Sequence, residues 1–461
     1  MPKKAVFLFF LLAFVGALFF VFFTFPRTKE GIPKSNNQRP FPSFPSSPVP
    51  NGVPVPETVP HPSQSPPHGP TLRVMAWAVG DEAKLLRATA DAFQAATGTH
   101  ASLTIENNLA TYNLDLQQAI ASGTPPDVCL ISARDFSGVD PARDLADVTP
   151  PTGTAPRSIA AFTLGGAIKA IPDEFSINVL FYNPDHFDRA GIGYPDRHWN
   201  WDILEAISRA LVSLKLQNAA GESIYPLELA ADFDFWNVLC AQVGHPVMDL
   251  NVWHVDGNES KDSQMHALGF IHDIFHEYAV TAPLQKSHTQ PGRLFAQQRA
   301  SLLIAPSETA ASLPKFHYVM TLLPGDINRA SLARVNGWAV LSKSSQPEAA
   351  LSLALFLARR PVHAGWSSVQ KPADENSPDA ICYEALSEAV IPRTDSKTET
   401  LAQFLDQQID LLARNSQQTT ETIYAHIQTE YRHGFAPPPV ESVAPHAAEL
   451  KAPAAAQIRG L

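Results

Sequence analysis

Residues 171–187 read IPDEFSINVLFYNPDHF. An acidic pair, Asp173-Glu174, stands just ahead of a run whose apolar residues include Ile177, Val179, Leu180 and Phe181. Tyr182-Asn183-Pro184-Asp185 then halts the run and opens a helix, since proline is preorganised for a first helical turn. Two carboxylates at the head of such a strand are either an acid/base pair or groups at a crossing point where a ligand is held. Neighbours on an extended segment point to opposite faces. Two adjacent carboxylates therefore cannot flank one glycosidic bond, which needs carboxyls roughly 5–9.5 Å apart.

Upstream, LRVMAWA (72–78) alternates as a strand and feeds DEAKLLRATADAFQAATG (81–98), where Leu86, Ala90 and Phe93 recur at helical spacing and Gly98 suits the stop. ASLTIE (101–106) is a second strand, followed by a helix through Tyr112, Leu116 and Ile120. DVCLIS (127–132) is apolar on both faces, as a central parallel strand should be. This βαβαβ series predicts a doubly wound α/β sheet. The pattern restarts with SINVLFYN, a short helix closed by Gly191, and the amphipathic DILEAISRALVSL, with Asp202 and Glu205 set for a capping box. Helices around FWNVLCAQVG and MHALGFIHDIFHEY, the strands RASLLIAPS and HYVMTLLP, and a strand-turn-helix at 335–357 follow. Helices dominate 379–432.

The chain has 461 residues and a formal net charge of −11, which argues against a nucleic-acid partner because nothing would offset phosphate repulsion. Cys129, Cys240 and Cys382 are far apart, form no metal-ligand pair and lie in apolar segments; they read as buried and inert, with a single disulfide as the alternative. Ala5 to Phe25 is uninterruptedly apolar. At about 1.5 Å per residue it reaches roughly 30 Å, one bilayer core. Residues 1–25 are expected to be an uncleaved transmembrane anchor, with a cleaved signal as the alternative. Residues 26–70 carry proline at nearly every second or third position and read as an extended linker. Residues 435–461 read as a disordered tail.

Several stretches together resemble the family 1 extracellular solute-binding proteins, the maltose- and oligosaccharide-type receptors of ABC importers. They are, in family order, ATADAFQAATG (88–98), LQQAIASGTPPDV (116–128), LFYNPDHFDRAGIGYPDRHWNWDIL (180–204), DFDFWNVLCAQVG (232–244), LFAQQRASLLIAPS (294–307) and VNGWAVLSKSSQPEAALSLALFL (335–357). The resemblance implies a two-lobed periplasmic-binding-protein fold of type II, each lobe a doubly wound sheet flanked by helices, over 71–434. Lobe 1 would span about 71–174 and 337–385, and lobe 2 about 178–332 and 390–434. It implies an extracytoplasmic, periplasmic-side receptor tethered to the cytoplasmic membrane by its N-terminal helix, or soluble if cleaved. Its partners would be a mono- or oligosaccharide and an ABC permease; a monomer without cofactor or metal is expected. A signalling or accessory ectodomain of the same fold, or a hydrolase, are the alternatives.

By the same resemblance Ser176 lies near the first lobe crossing, and Asn336, Gly337 and Trp338 belong to a second that lines the cleft. Asp173 and Glu174 become hinge-proximal groups able to accept hydrogen bonds from vicinal hydroxyls. Aromatic stacking candidates for a sugar ring are Trp77, Phe235, Trp236 and Trp338, with Asp234 beside two of them. Loops after parallel strands hold ligands in open α/β sheets, which nominates Asn107, Asn108, Ser132, Arg134, Asp135, Ser307 and Glu308. Arg393, in VIPRTD, falls in a late segment that often reaches the cleft, and could suit an anionic ligand. The strongest enzyme-like motif is HDIFHE (272–277), two histidines at i and i+4 as in zinc peptidases but with Asp for the general-base Glu. Its histidines read as surface groups, and the sequence offers no catalytic constellation.

Overall fold

The computed structural model describes residues 71–282, 284 and 292–435. The expected anchor (1–25), linker (26–70) and residues 436–461 of the tail lie outside the described residues. Among the described residues no helix is long and apolar enough to cross a membrane.

The strands of the main sheet are β1 (Thr71–Trp77), β2 (His100–Glu106), β3 (Val128–Ser132), β4 (Ile171–Tyr182), β5 (Tyr225–Glu228), β6 (Ala300–Pro306), β7 (Val319–Thr321), β8 (Ala333–Val340) and β9 (Ser367–Ser368). The helices of seven or more residues are α1 (Asp81–Thr97), α2 (Leu109–Ala121), α3 (Pro184–Ala190), α4 (Trp201–Ser213), α5 (Phe233–Gln242), α6 (Asn258–His272), α7 (Pro347–Leu357), α8 (Pro378–Leu386), α9 (Ser396–Arg414) and α10 (Thr420–Glu430). Sheet order is β2-β1-β3-β8-β4-β6-β5, with β7 and β9 also pairing β4. The β1-β2, β1-β3 and β5-β6 pairs are parallel; every pair made by β8 or β4 is antiparallel.

β4 is the spine. All twelve of its residues are buried, and at about 3.3 Å per residue it runs about 40 Å. Its first half pairs β8 and its last five residues pair β6, so one strand passes from one half of the molecule into the other. Its side chains enter three separate cores. Ile171 packs with Leu72, Leu86, Phe93 and Leu353 between the first sheet half and α1 and α7. Phe175, Ile177, Val179 and Phe181 join a middle cluster with Phe136, Phe162 and Phe295. Leu180 and Tyr182 meet the helical mass of α4, α5, α6, α9 and α10.

Local chemistry explains most boundaries. Gly98 ends α1 in the left-handed region (φ 75°), which costs glycine nothing. Asn183 caps α3 and Pro184 occupies its first turn. The cap of α4 is Asn200, whose side chain accepts from the Ile203 amide at 2.9 Å, not the expected Asp202-Glu205 box: the helix begins two residues earlier than that box would set it, at Trp201. HYVMTLLP contributes only the three-residue β7, and residues 273–277 of HDIFHE form a π turn at the end of α6. All three cysteines are buried and free.

The β4-β8 register contains one irregularity. Asn336 faces Glu174 and Gly337 faces Pro172, so Asp173 is an extra residue with no partner, a β-bulge. Gly337 sits at this joint. A Cβ there would meet the Phe162 ring at 2.8 Å and the Ile171 carbonyl oxygen at 2.9 Å. Gly337→Ala should therefore destabilise the fold by about 1–3 kcal/mol. A urea titration checks this: the midpoint falls while the slope is unchanged, and an unmoved midpoint contradicts the packing account.

Candidate functional site

A cavity of about 540 Å³ opens at the carboxyl ends of parallel strands β1 and β3, where open α/β sheets place their ligands. Trp77 closes β1, Ser132 closes β3, and Arg134 and Asp135 follow it. Asn113 and Gln117 project from α2. Glu308 follows β6, Arg334 and Asn336 stand two apart on β8, Trp366 precedes β9, and Asp395 and Glu399 come from the start of α9. The wall is thus drawn from both sheet halves.

The charged groups of this wall are arranged around Asp234. Its Oδ2 lies 3.5 Å from Arg134 Nη1 and 3.5 Å from Arg334 Nη2, so one carboxylate joins an arginine after β3 to another on β8. Arg134 Nη2 also lies 3.6 Å from Glu399 Oε2, and the Arg134 carbonyl accepts from the Thr394 amide at 2.8 Å. Burial raises the Glu308 carboxyl above the usual carboxylate range, partly offset by Arg334. Burial raises Asp135 too, against a hydrogen bond from Asn113. Four buried polar atoms here have no partner within the protein: Trp77 Nε1, Asp234 Oδ1, Glu308 Oε2 and Arg334 Nη1. Two donors and two acceptors are left unsatisfied around one cavity, at a cost of about 1–3 kcal/mol each until something bonds them.

Of the residues nominated from sequence, Trp77, Ser132, Arg134, Asp135, Glu308 and Asn336 line this cavity, and Asp234 braces it. The others lie elsewhere. Asn107 and Asn108 are exposed, and Asn108 caps α2 by accepting from Thr111. Phe235 and Trp236 face the core, where Trp236 Nε1 donates to the Gln264 carbonyl. Ser176 and Ser307 are buried within 3.4 Å of each other; Ser307 also donates to the Gly365 carbonyl and accepts from the Ile177 amide. Gly337 is packed under Phe162. Arg393 stacks at 4.9 Å over Phe136 and donates to the carbonyls of Ala160 and Thr163, burial lowering its pKa to about 10; it is spent as an internal brace, not an anion receptor.

Trp338, expected on the cleft wall, is wholly buried in the first core, and its Nε1 donates to Asp173 Oδ2 at 2.9 Å. Asp173 and Glu174 are likewise turned inward. The bulge breaks the alternation expected of an extended pair, so both carboxylates reach one guanidinium, that of Arg360. Glu82, from the first turn of α1, is the third, 3.5 Å from Arg360 Nη2. Asn336 Nδ2 donates to Glu174 Oε1 at 3.4 Å, and the His363 amide to Glu174 Oε2 at 3.1 Å. Burial pushes Glu82 up to about 7, helped by Glu174 and opposed by Arg360, and burial raises Asp173 as well.

Arg334, Trp366, Asn113 and Glu399 were not foreseen. Arg334 shared a strand face with Asn336, a two-residue spacing that sequence does carry. Trp366 sits in the polar stretch VHAGWSS, and only the fold brings that loop to the cavity. His272 and His276 have rings 5.2 Å apart. Their immediate partners are Asp273 and, for His276, the Leu412 carbonyl, so both are part-buried rather than the surface groups expected.

Asp232 caps α5, accepting from the Phe235 amide at 2.8 Å, and burial together with Asp234 pushes its carboxyl up to about 7 from an ordinary 3.8. The fold favours the protonated acid; that contribution is full below pH 3.8 and is lost as pH rises through about 7. Asp232→Asn keeps the cap and removes the titration. Its urea midpoint should fall less than the parent's between about pH 4 and pH 8. Parallel curves for the two proteins would contradict the assignment.

Comparison with known proteins agrees with this architecture. The sequence profile of the family described as bacterial extracellular solute-binding protein matches residues 78–362, more than half of the chain. Among solved structures, an ABC substrate-binding protein from Listeria monocytogenes in complex with cycloalternan is 20% identical, with a TM-score of 0.62, over 80% of this chain and 100% of that one. The sugar-binding protein MalE from Xanthomonas citri is 16% identical with a TM-score of 0.65, over 78% of this chain and 96% of its own. A cyclic α-maltosyl-1,6-maltose binding protein from Arthrobacter globiformis is 15% identical with a TM-score of 0.64, over 79% and 100%. At these identities the likeness concerns the fold. No curated protein matches the chain by sequence.

Proposed function

The chain belongs to the bacterial extracellular solute-binding protein family, and from that premise we propose that it captures a neutral, polyhydroxylated solute, a mono- or oligosaccharide, for an ABC-type import permease. It works outside the cytoplasmic membrane, with residues 1–25 as its anchor and 26–70 as the spacer. The observation that carries the ligand class is the unsatisfied quartet around the cavity. Trp77 Nε1 and Arg334 Nη1 call for acceptors, while Glu308 Oε2 and Asp234 Oδ1 call for donors. An anion answers only the first pair and a cation only the second; a hydroxyl donates and accepts at once. Both guanidiniums already face carboxylates, which disfavours an anionic sugar. Trp77 and Trp366 supply flat apolar surface for the C–H face of a sugar ring. The solved relatives named with cycloalternan, a sugar or maltosyl-maltose support the same class.

In this reading Ser132, Arg134, Asp135, Asn113 and Asn336 complete the contacts. Closure follows from differential affinity, because only a closed cleft lets both halves touch the solute. A thermal-shift panel of neutral mono- and oligosaccharides, polyols and sugar phosphates tests it. Neutral oligosaccharides should raise the melting temperature and phosphorylated ones should not. Glu308→Gln replaces one charged acceptor and should weaken binding about tenfold or more by calorimetry, since a hydrogen bond to a charged group is worth about 1.5–3 kcal/mol. Stabilisation by none of the neutral sugars, or undiminished affinity in Glu308→Gln, counts against the proposal.

A further inference from the structure

We propose that Glu82, Glu174 and His363 form a binding site for one divalent metal ion of the borderline class, zinc foremost, lying behind the solute cleft and separate from it. One ligand atom from each of the three lies within 4.8 Å of the others, a mixed nitrogen and oxygen donor set. Imidazole with carboxylates suits zinc and its neighbours rather than calcium.

Two further observations point to a bound cation. The first is an unpartnered atom. Glu82 is 6% exposed, yet its Oε2 has no hydrogen-bond partner, although His363 Nδ1 is only 3.2 Å away. A close approach without hydrogen-bond alignment is what two ligands of one metal make: bonds of about 2.0–2.2 Å put neighbouring donors about 3–3.5 Å apart. The second is charge. Glu82, Asp173 and Glu174 face the guanidinium of Arg360, and among the described residues no other cationic side chain is paired with them except His363. When the three carboxylates are ionised and His363 is neutral, as a metal ligand must be, two negative charges remain uncompensated in the interior, and a divalent ion balances them.

The surroundings are those of a supported site. Arg360 holds Glu82 Oε1 and Glu174 Oε1, which leaves Glu82 Oε2 beside His363 Nδ1 and Glu174 Oε2 accepting from the His363 backbone amide, as outer partners orient ligands elsewhere. The His363 side chain keeps 25% of its surface exposed, which provides an entry path and lets the ring rotate to close the widest gap. Its ring lies parallel to that of Trp366, at 5° and 6.3 Å, so the metal sits one side chain behind the cavity wall.

The test uses the full chain, stripped with a chelator, dialysed and titrated with zinc or calcium chloride by calorimetry and thermal shift. The expected result is one equivalent of zinc bound per chain, bound more tightly than calcium, with a raised melting temperature. His363→Ala should bind zinc at least tenfold more weakly while melting like the parent in chelator; Glu82→Gln should lose zinc to the same degree but melt below the parent in chelator, because its charge also faces Arg360. His276→Ala, which breaks the other histidine pair, should bind like the parent. No stoichiometric zinc in the parent overturns the proposal and leaves protons as the compensating charge. Undiminished binding in His363→Ala, or loss confined to His276→Ala, overturns it equally by placing the metal elsewhere.

Discussion

Arg360 has no exposed side-chain surface, and the three carboxylates around it come from positions 82, 173 and 174. Removing one member of such a buried set costs about 3–5 kcal/mol, because the charges left behind have no water to turn to. The cluster therefore pins together the first turn of α1, the bulge of β4 and the segment after α7. Cation–π contact of Arg360 with Trp338 at 5.8 Å and the Trp338 to Asp173 hydrogen bond tie β8 into the same knot. The strand that enters the other half of the molecule is thus anchored at its start by charge and along its length by apolar packing.

That anchoring shapes the cleft. Because β4 and β8 run side by side, Asn336 on β8 touches Glu174 in the knot while also lining the cavity. Trp366 follows from the segment that carries Arg360 and His363, and Ser307 fastens that segment through the Gly365 carbonyl. On the other wall, Asp234 at the start of α5 reaches across to Arg134 and Arg334. The wall is held by ion pairs, and two of their members, Asp234 and Arg334, keep a buried polar atom without a hydrogen-bond partner. A site of this kind is rigid where it must be shaped and unsatisfied where it must bind.

The division of labour among the tryptophans follows from the same packing. Trp236 and Trp338 are large, wholly buried and serve the core, whereas Trp77 and Trp366 border the cavity. A tryptophan on a strand adjoining the spine is drawn inward because the sheet there is covered on both faces. One at the end of a parallel strand or in a loop has no such cover.

The βαβαβ opening, the helix stops at Gly98 and Gly191 and the run into Asn183-Pro184 were legible because they rest on local chemistry: backbone freedom, capping and periodicity. Family membership was legible in ordered motifs spread over the chain. So were the strand ends at Trp77, Ser132 and Arg134, since ligand position in open α/β sheets follows chain direction. The rest depended on distance through space. A single extra residue in β4 turned Asp173 and Glu174 to the same arginine, against the alternation that an unbroken strand imposes. The partner at position 360, the glutamate at 82 and the loop tryptophan at 366 carry no local mark of their roles, because burial and pairing belong to the assembled sheet and not to any stretch of chain.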